Sequence, residues 1–201
     1  MKHLTFLLLA LLICSTAESV RAADPFDPKA RAATISAYLT GNAIAVGHLD
    51  LSKPDVEATL KQVNDIVNPP EFQQAQLLAT QKKIEDLITN LRNAGAGEIY
   101  AVINLSIDPS SLAYLIVPVK QGGDHRGVAG IMFGGDPQGP TSYEEAKSRN
   151  YRGPRSHEIC VKHGNAVFCG RKAILEQLKQ NKPQPRPELE KAFAAAGDTT
   201  A

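Results

Sequence analysis

Between His157 and Cys169 the chain gathers His157, Cys160, His163 and Cys169, two imidazoles and two thiols in one short stretch. Zinc accepts such a set, so metal is the first chemistry to weigh. Local spacing opposes it. Glu158 to Lys162 and Ala166 to Cys169 flank Gly164-Asn165, a two-residue hairpin signal. In that hairpin His163 faces Ala166, Lys162 faces Val167, Val161 faces Phe168 and Cys160 faces Cys169. Alternate residues of a strand share a face, so Cys160 and His163 point to opposite sides while the cysteines stand side by side. Pairs alternate in type from the loop, and 160/169 falls at a non-hydrogen-bonded site, where Cα atoms lie about 4.5 Å apart. That is near the short end of the range a disulfide tolerates. The expectation is a structural disulfide between Cys160 and Cys169, worth about 2–3 kcal/mol for so short a loop, with no metal and no cofactor. A redox-active dithiol is a weaker reading, since such pairs sit two residues apart at a helix start.

Other reactive side chains form no convincing active site, and no catalytic residue is assigned. His48 and Asp50 share one strand face; with His125 they define the alternative reading, a hydrolase-like extracytoplasmic enzyme, if all three meet within hydrogen-bond reach. Asp124-His125 with Ser110 or Ser111 lacks the Gly-x-Ser-x-Gly elbow that strains a nucleophile. Gly134-Gly135-Asp136-Pro137-Gln138-Gly139 has neither the lysine and Ser/Thr of a phosphate loop nor the dinucleotide fingerprint. Asn104-Leu105-Ser106 is a glycosylation sequon inside an expected buried strand. Arg149, Arg152 and Arg155 cluster beside Gly153-Pro154 and read as a solvated loop.

These residues depend on a frame of strands and helices. Asn42 to Leu51 predicts a strand with Ile44, Val46 and His48 on one face. Ser52 caps a helix whose stripe is Val56, Leu60, Val63 and Val67, and Asn68-Pro69-Pro70 ends it. A second helix runs to about Arg92 with Leu77, Ile84, Leu87, Ile88 and Leu91 buried. Glu98 to Ser106 is apolar on both faces, as a central strand would be. A turn at Asp108 to Ser111 leads into an antiparallel strand, Leu112 to Val119. From Lys120 to Pro154 glycines dominate, and the expectation is a short helix over Val128 to Phe133 within irregular loop. After the hairpin come a helix from Arg171 to about Gln180, a proline-rich spacer, and a last helix from Pro187 to Ala196. The order of elements predicts one α+β domain over 23–180, with helices packed on one face of a mainly antiparallel sheet in a ferredoxin-like arrangement. Residues 181–201 are read as spacer, terminal helix and tail.

The N-terminus supplies the compartment. Lys2 and His3 precede an apolar run from Leu4 to Cys14, about eleven residues where a membrane-spanning helix needs about 20. This is the pattern of a secretory signal, with Val20-Arg21-Ala22 placing cleavage after residue 22. Lipidation at Cys14 is disfavoured because Ile13 stands where such signals want Gly or Ala. The expected location is periplasmic or extracellular, with no transmembrane segment after cleavage. The chain has 22 basic and 21 acidic side chains; Lys2, Arg21 and Glu18 leave with the leader, and the rest is neutral. A neutral chain has no electrostatic footprint for nucleic acid. The expected partner is a protein or an envelope component.

Three segments carry a resemblance: AIAVGHLDLS at 43–52, AGAGEIYAVINLS at 94–106 with LIVPV at 115–119, and RPELEKAFAAAGD at 186–198. Together they resemble uncharacterised exported proteins of the planctomycete type, in which such a strand pair and a terminal Arg-Pro-Glu-Leu helix recur. The resemblance implies export and no known activity. It also implies a further strand after the last helix, so this chain resembles a C-terminally shortened member. Its leading functional expectation is a non-catalytic exported binding or envelope-associated domain.

Overall fold

Asp27 opens the first helix by accepting the backbone N–H groups of Lys29 and Ala30 at 2.9 and 3.1 Å, and Pro28 fills the first helical position, where no N–H is needed. This helix, α1 (Pro28–Ser36), is the first described in a computed structural model that describes residues 27–52, 71–105, 113–148, 158–180 and 186–196, with backbone alone for 71–78 and 196. The leader, the helix expected after Ser52, the Asp108–Ser111 turn, the arginine cluster and His157, and most of the proline-rich spacer lie outside those residues. The other elements are β1 (Ala43–Asp50), α2 (Glu71–Asn93), β2 (Glu98–Asn104), β3 (Ala113–Pro118), α3 (His125–Gly134), α4 (Tyr143–Ser148), β4 (Glu158–His163), β5 (Ala166–Arg171), α5 (Lys172–Gln180) and α6 (Pro187–Ala196).

The strands form one sheet in the order β1-β2-β3-β5-β4, antiparallel at every neighbour. The α+β class is as the sequence indicates, and two features of the expected arrangement are corrected. First, a ferredoxin-like sheet interleaves its strands, each βαβ unit being split by a strand between its two ends; here β1, β2 and β3 are neighbours in chain order. Second, helices cover both faces of the sheet. Leu49, Ile99, Leu115, Val117, Val167, Cys160 and Cys169 point to one side, against Leu91 of α2 and Val128, Ile131 and Phe133 of α3. Tyr100, Val102, Tyr114, Ile116 and Phe168 point to the other, against Ile35 of α1, Ile174, Leu175 and Leu178 of α5, and Phe193 of α6. The physical reason is residue type: β2, β3 and β5 carry apolar side chains at successive positions, so covering one side alone would leave the other wet. Each fully buried side chain such as Phe168 contributes about 1.5–3 kcal/mol. The terminal helix belongs to this packing, and Arg186 Nη2 donates to the Thr40 carbonyl at 2.9 Å.

A bulge in β1 changes a further expectation. Register slips between Ala43 and Ala45, so Ile44 leaves the face that Val46 and His48 share and stands exposed.

The glycine-rich stretch is also more ordered than its composition indicates. Asp124 accepts the Gly127 N–H at 2.8 Å and starts α3, three residues earlier than expected. Ser142 and Glu145 cap α4: Ser142 Oγ accepts the Glu145 N–H at 3.2 Å, and Glu145 Oε2 accepts the Thr141 N–H at 2.7 Å. Arg126 then pairs with Glu145 at 2.9 Å and ties the two helices together. Asp136 closes the intervening loop, its carbonyl accepting from Gly139 and its side chain from Gln138, both at 2.9 Å. This loop lies directly on α3. A Cβ at Gly130 would sit 2.5 Å from the Asp136 carbonyl oxygen and 2.9 Å from that of Pro137.

Helix propensity alone would make Gly130→Ala stabilising by about 1 kcal/mol. The backbone clash outweighs it, and urea denaturation should show a net loss of about 1–3 kcal/mol. A gain would mean that the loop yields freely.

Candidate functional site

The asparagine of the glycosylation sequon lies inside a polar network. Asn104 is buried, and its Oδ1 accepts the Thr40 hydroxyl at 2.8 Å. Tyr114 Oη donates to the Tyr38 carbonyl at 2.8 Å and accepts the Thr40 N–H at 3.3 Å. Burial pushes the Tyr114 phenol up to about 12, against the bonding to Thr40. Tyr38 Oη in turn accepts the Asn165 N–H of the hairpin turn at 3.2 Å. Gly164 beside it has φ +60°, the left-handed backbone that a tight hairpin turn requires.

His48 has become structural as well. It is 2 % exposed and packs against Tyr100 and Phe193, with ring centroids 5.0 and 6.4 Å away. Its Nε2 lies 3.0 Å from Glu98 Oε2. A carboxylate only accepts, so this bond places a hydrogen on Nε2. Arg31 Nε reaches the same oxygen at 3.7 Å, so one carboxylate ties α1 to the sheet through two partners. The Tyr100 hydroxyl is buried beside Glu98 and Arg31 but makes no hydrogen bond of good geometry. Burial first, and the Glu98 charge second, push its phenol far above the ordinary value.

Asp50 takes a different role from His48. Its Oδ1 accepts both the backbone N–H and the hydroxyl of Ser52, at 2.9 and 2.6 Å. His125 opens α3, which packs on the face of the sheet opposite His48. Its Nε2 is buried without a hydrogen-bond partner. The three residues of the hydrolase reading are thus divided between the two sides of the sheet.

Cys160 and Cys169 face one another across β4 and β5, as the hairpin spacing indicates. Both thiols are free and buried. Burial, then the neighbouring Cys160, then Glu158, push the Cys169 thiol well up, the reverse of an activated nucleophile. His163 lies on the other face against Tyr38, centroids 5.8 Å apart, and burial and Lys179 hold its imidazole below the ordinary value. Among the described residues no three His, Cys, Asp or Glu side chains are grouped to hold a metal.

An open groove of about 830 Å³ remains, at the end of the sheet where β1 and β3 finish and β2 begins. Its lining includes Tyr38 and Asn165, the acidic Asp50 and Glu98, and the basic Arg92 and Lys120. No sequence motif announces it, because its residues come from distant segments brought together by the sheet register. The one legible sign is polar residues at strand ends, where loops on a rigid sheet commonly carry binding. Among the described residues no helix is long and apolar enough to cross a membrane. No protein-family model, curated protein or solved structure matches the chain.

Two hydroxyl deletions separate the bonded from the unbonded tyrosine. Tyr114→Phe strands buried partners and should cost about 1–3 kcal/mol. Tyr100→Phe removes a buried hydroxyl without a good partner and should be neutral or stabilising by up to about 1 kcal/mol. Thermal and urea unfolding of both variants check this, and equal losses would contradict the hydrogen-bond assignment.

Proposed function

We propose that this chain is a non-catalytic exported binding domain, associated with the cell envelope and presenting the groove at the sheet end as its binding face. One observation carries the reading: His48, the best-placed acid–base candidate, is sealed in the core and bound to Glu98. Its chemistry is spent on holding α1 and α6 to the sheet. The groove supplies mixed charge on a rigid rim, which suits recognition of a polar ligand more than bond breaking. The apolar leader and the likeness to exported planctomycete-type proteins support export.

Export also determines the state of the cysteines. In an oxidising compartment the facing Cys160 and Cys169 thiols form an intrachain Sγ–Sγ bond. They lose two protons and two electrons to a disulfide-bearing oxidant, which is reduced to its dithiol. The crosslink staples the β4–β5 hairpin, one edge of the sheet.

Expression of the full chain in a bacterial host with an export pathway, followed by intact mass spectrometry, tests both statements. The expected product begins at Ala23 and, alkylated in denaturant, takes no iodoacetamide until it is reduced, then takes two adducts. A cytosolic species retaining Met1, or two adducts before reduction, contradicts the reading. The same purified protein should cosediment with isolated cell envelopes, and Arg92→Glu with Lys120→Glu should weaken that association severalfold. Wild-type protein left in the supernatant would remove the envelope assignment.

A further inference from the structure

The two edges of the sheet are built differently. β4 carries Glu158 and Lys162 as exposed side chains, charges of the kind that discourage another strand from pairing. β1 carries no Asp, Glu, Lys or Arg before Asp50, its last residue, and its sequence is Ala43-Ile44-Ala45-Val46-Gly47-His48-Leu49-Asp50. No described strand lies beyond it.

Backbone alternation shows which groups face outward. Leu51 N–H donates to the Gly97 carbonyl at 2.9 Å, so 51/97 is a hydrogen-bonded pair. In the register of β1 on β2, Leu49 and Gly47 then also bond toward β2. Val46 and His48 turn their N–H and C=O groups to the open side. Apolar side chains collect at the same edge. Of the four large apolar residues exposed among the described residues, three lie at the β1–β2 end: Ile44 at 63 %, Ile103 at 44 % and Leu105 at 71 %.

We propose that β1 pairs with β1 of a second copy of this chain, antiparallel about a twofold axis at Gly47, so that the two sheets become one. Val46 of one copy exchanges both backbone hydrogen bonds with His48 of the other, and symmetry repeats the exchange. Glycine meets glycine on the axis, so no side chains collide there. Asp50 falls opposite Ile44 of the second copy, which puts the two Asp50 residues about 20 Å apart. This is beyond the screening length of about 8 Å at physiological salt, so the pairing meets no like-charge repulsion. A strand of this kind is its own complement, which is why a second copy is preferred to an unrelated extended peptide. The bulge at Ile44 bounds the paired segment at its N-terminal end. The pairing depends on neither the groove nor export.

Sedimentation velocity of the protein from Ala23 onward, at high micromolar concentration, should give the dimer mass. Val46→Pro removes one outward N–H at an edge position where proline is tolerated. Ile44→Glu places an acidic group at an exposed site, opposite Asp50 of the second copy, and leaves the core untouched, so it serves if the proline variant fails to fold. Both should sediment as monomers with unchanged far-ultraviolet circular dichroism. In Ile44→Glu the Val46 and His48 amides should exchange with deuterium on the order of tenfold faster than in the wild type. A wild-type monomer overturns the proposal, whether those amides are open or are protected by another part of the chain or a different partner. A dimer that survives the Ile44→Glu substitution overturns it too, because the interface would then lie elsewhere.

Discussion

Burial of the sheet on both faces is the constraint on which everything else rests. Tyr100, Val102, Ile116, Val117, Val167 and Phe168 have essentially no solvent exposure, and they alternate between the two sides of β2, β3 and β5. With both sides taken, an unpaired polar side chain on an inner strand costs about 1–3 kcal/mol, and the Tyr100 hydroxyl is the exception that carries that cost. The other polar groups are either satisfied within the layers or placed at the sheet ends. The Thr40–Asn104 and Tyr114–Tyr38 bonds are the first outcome. The groove is the second.

The same constraint places the chemically suggestive residues in packing positions. His48, Tyr100 and Phe193 pack as a triangle of rings, and the His48 Nε2 bonds to Glu98. Glu98 also receives Arg31, so a helix, an edge strand and an inner strand share one carboxylate. The cysteines occupy the opposite layer with Val167 and Leu115, where burial keeps a thiolate unfavourable. The groove at the end of the sheet is lined by Arg92 and Lys120 together with Asp50 and Glu98. Its charged side chains stand at the end of a three-layered body, a sheet between two helical layers.

Much of this was legible in the sequence wherever short-range rules decide. Gly164-Asn165 sets the hairpin register, and the facing of Cys160 with Cys169 follows. The helix ending at Asn93 and the helix over 172–180 follow from their apolar spacing. Other features escaped because long-range packing determines them. Helix α1 leaves no legible stripe, since its buried residues are Ala32 and Ile35 alone, although Asp27-Pro28 is a readable start. The glycines near 130 read as loop by composition, yet Gly130 allows the Asp136 carbonyl to rest against α3. The residues of the groove converge only once β1, β2 and β3 are in register, and no spacing along the chain reveals that.

Native-state hydrogen exchange tests the central claim most directly, because it reads the stability of each strand separately. If cover on both faces holds the fold together, the amides of Val102, Ile116 and Phe168 should exchange only through global unfolding, with the free energy obtained from denaturant melts. Hydrogen-bonded amides in β4 and at the ends of α6 should open at lower cost. Equal protection across the sheet, or faster exchange in β3 than in β4, would contradict the account.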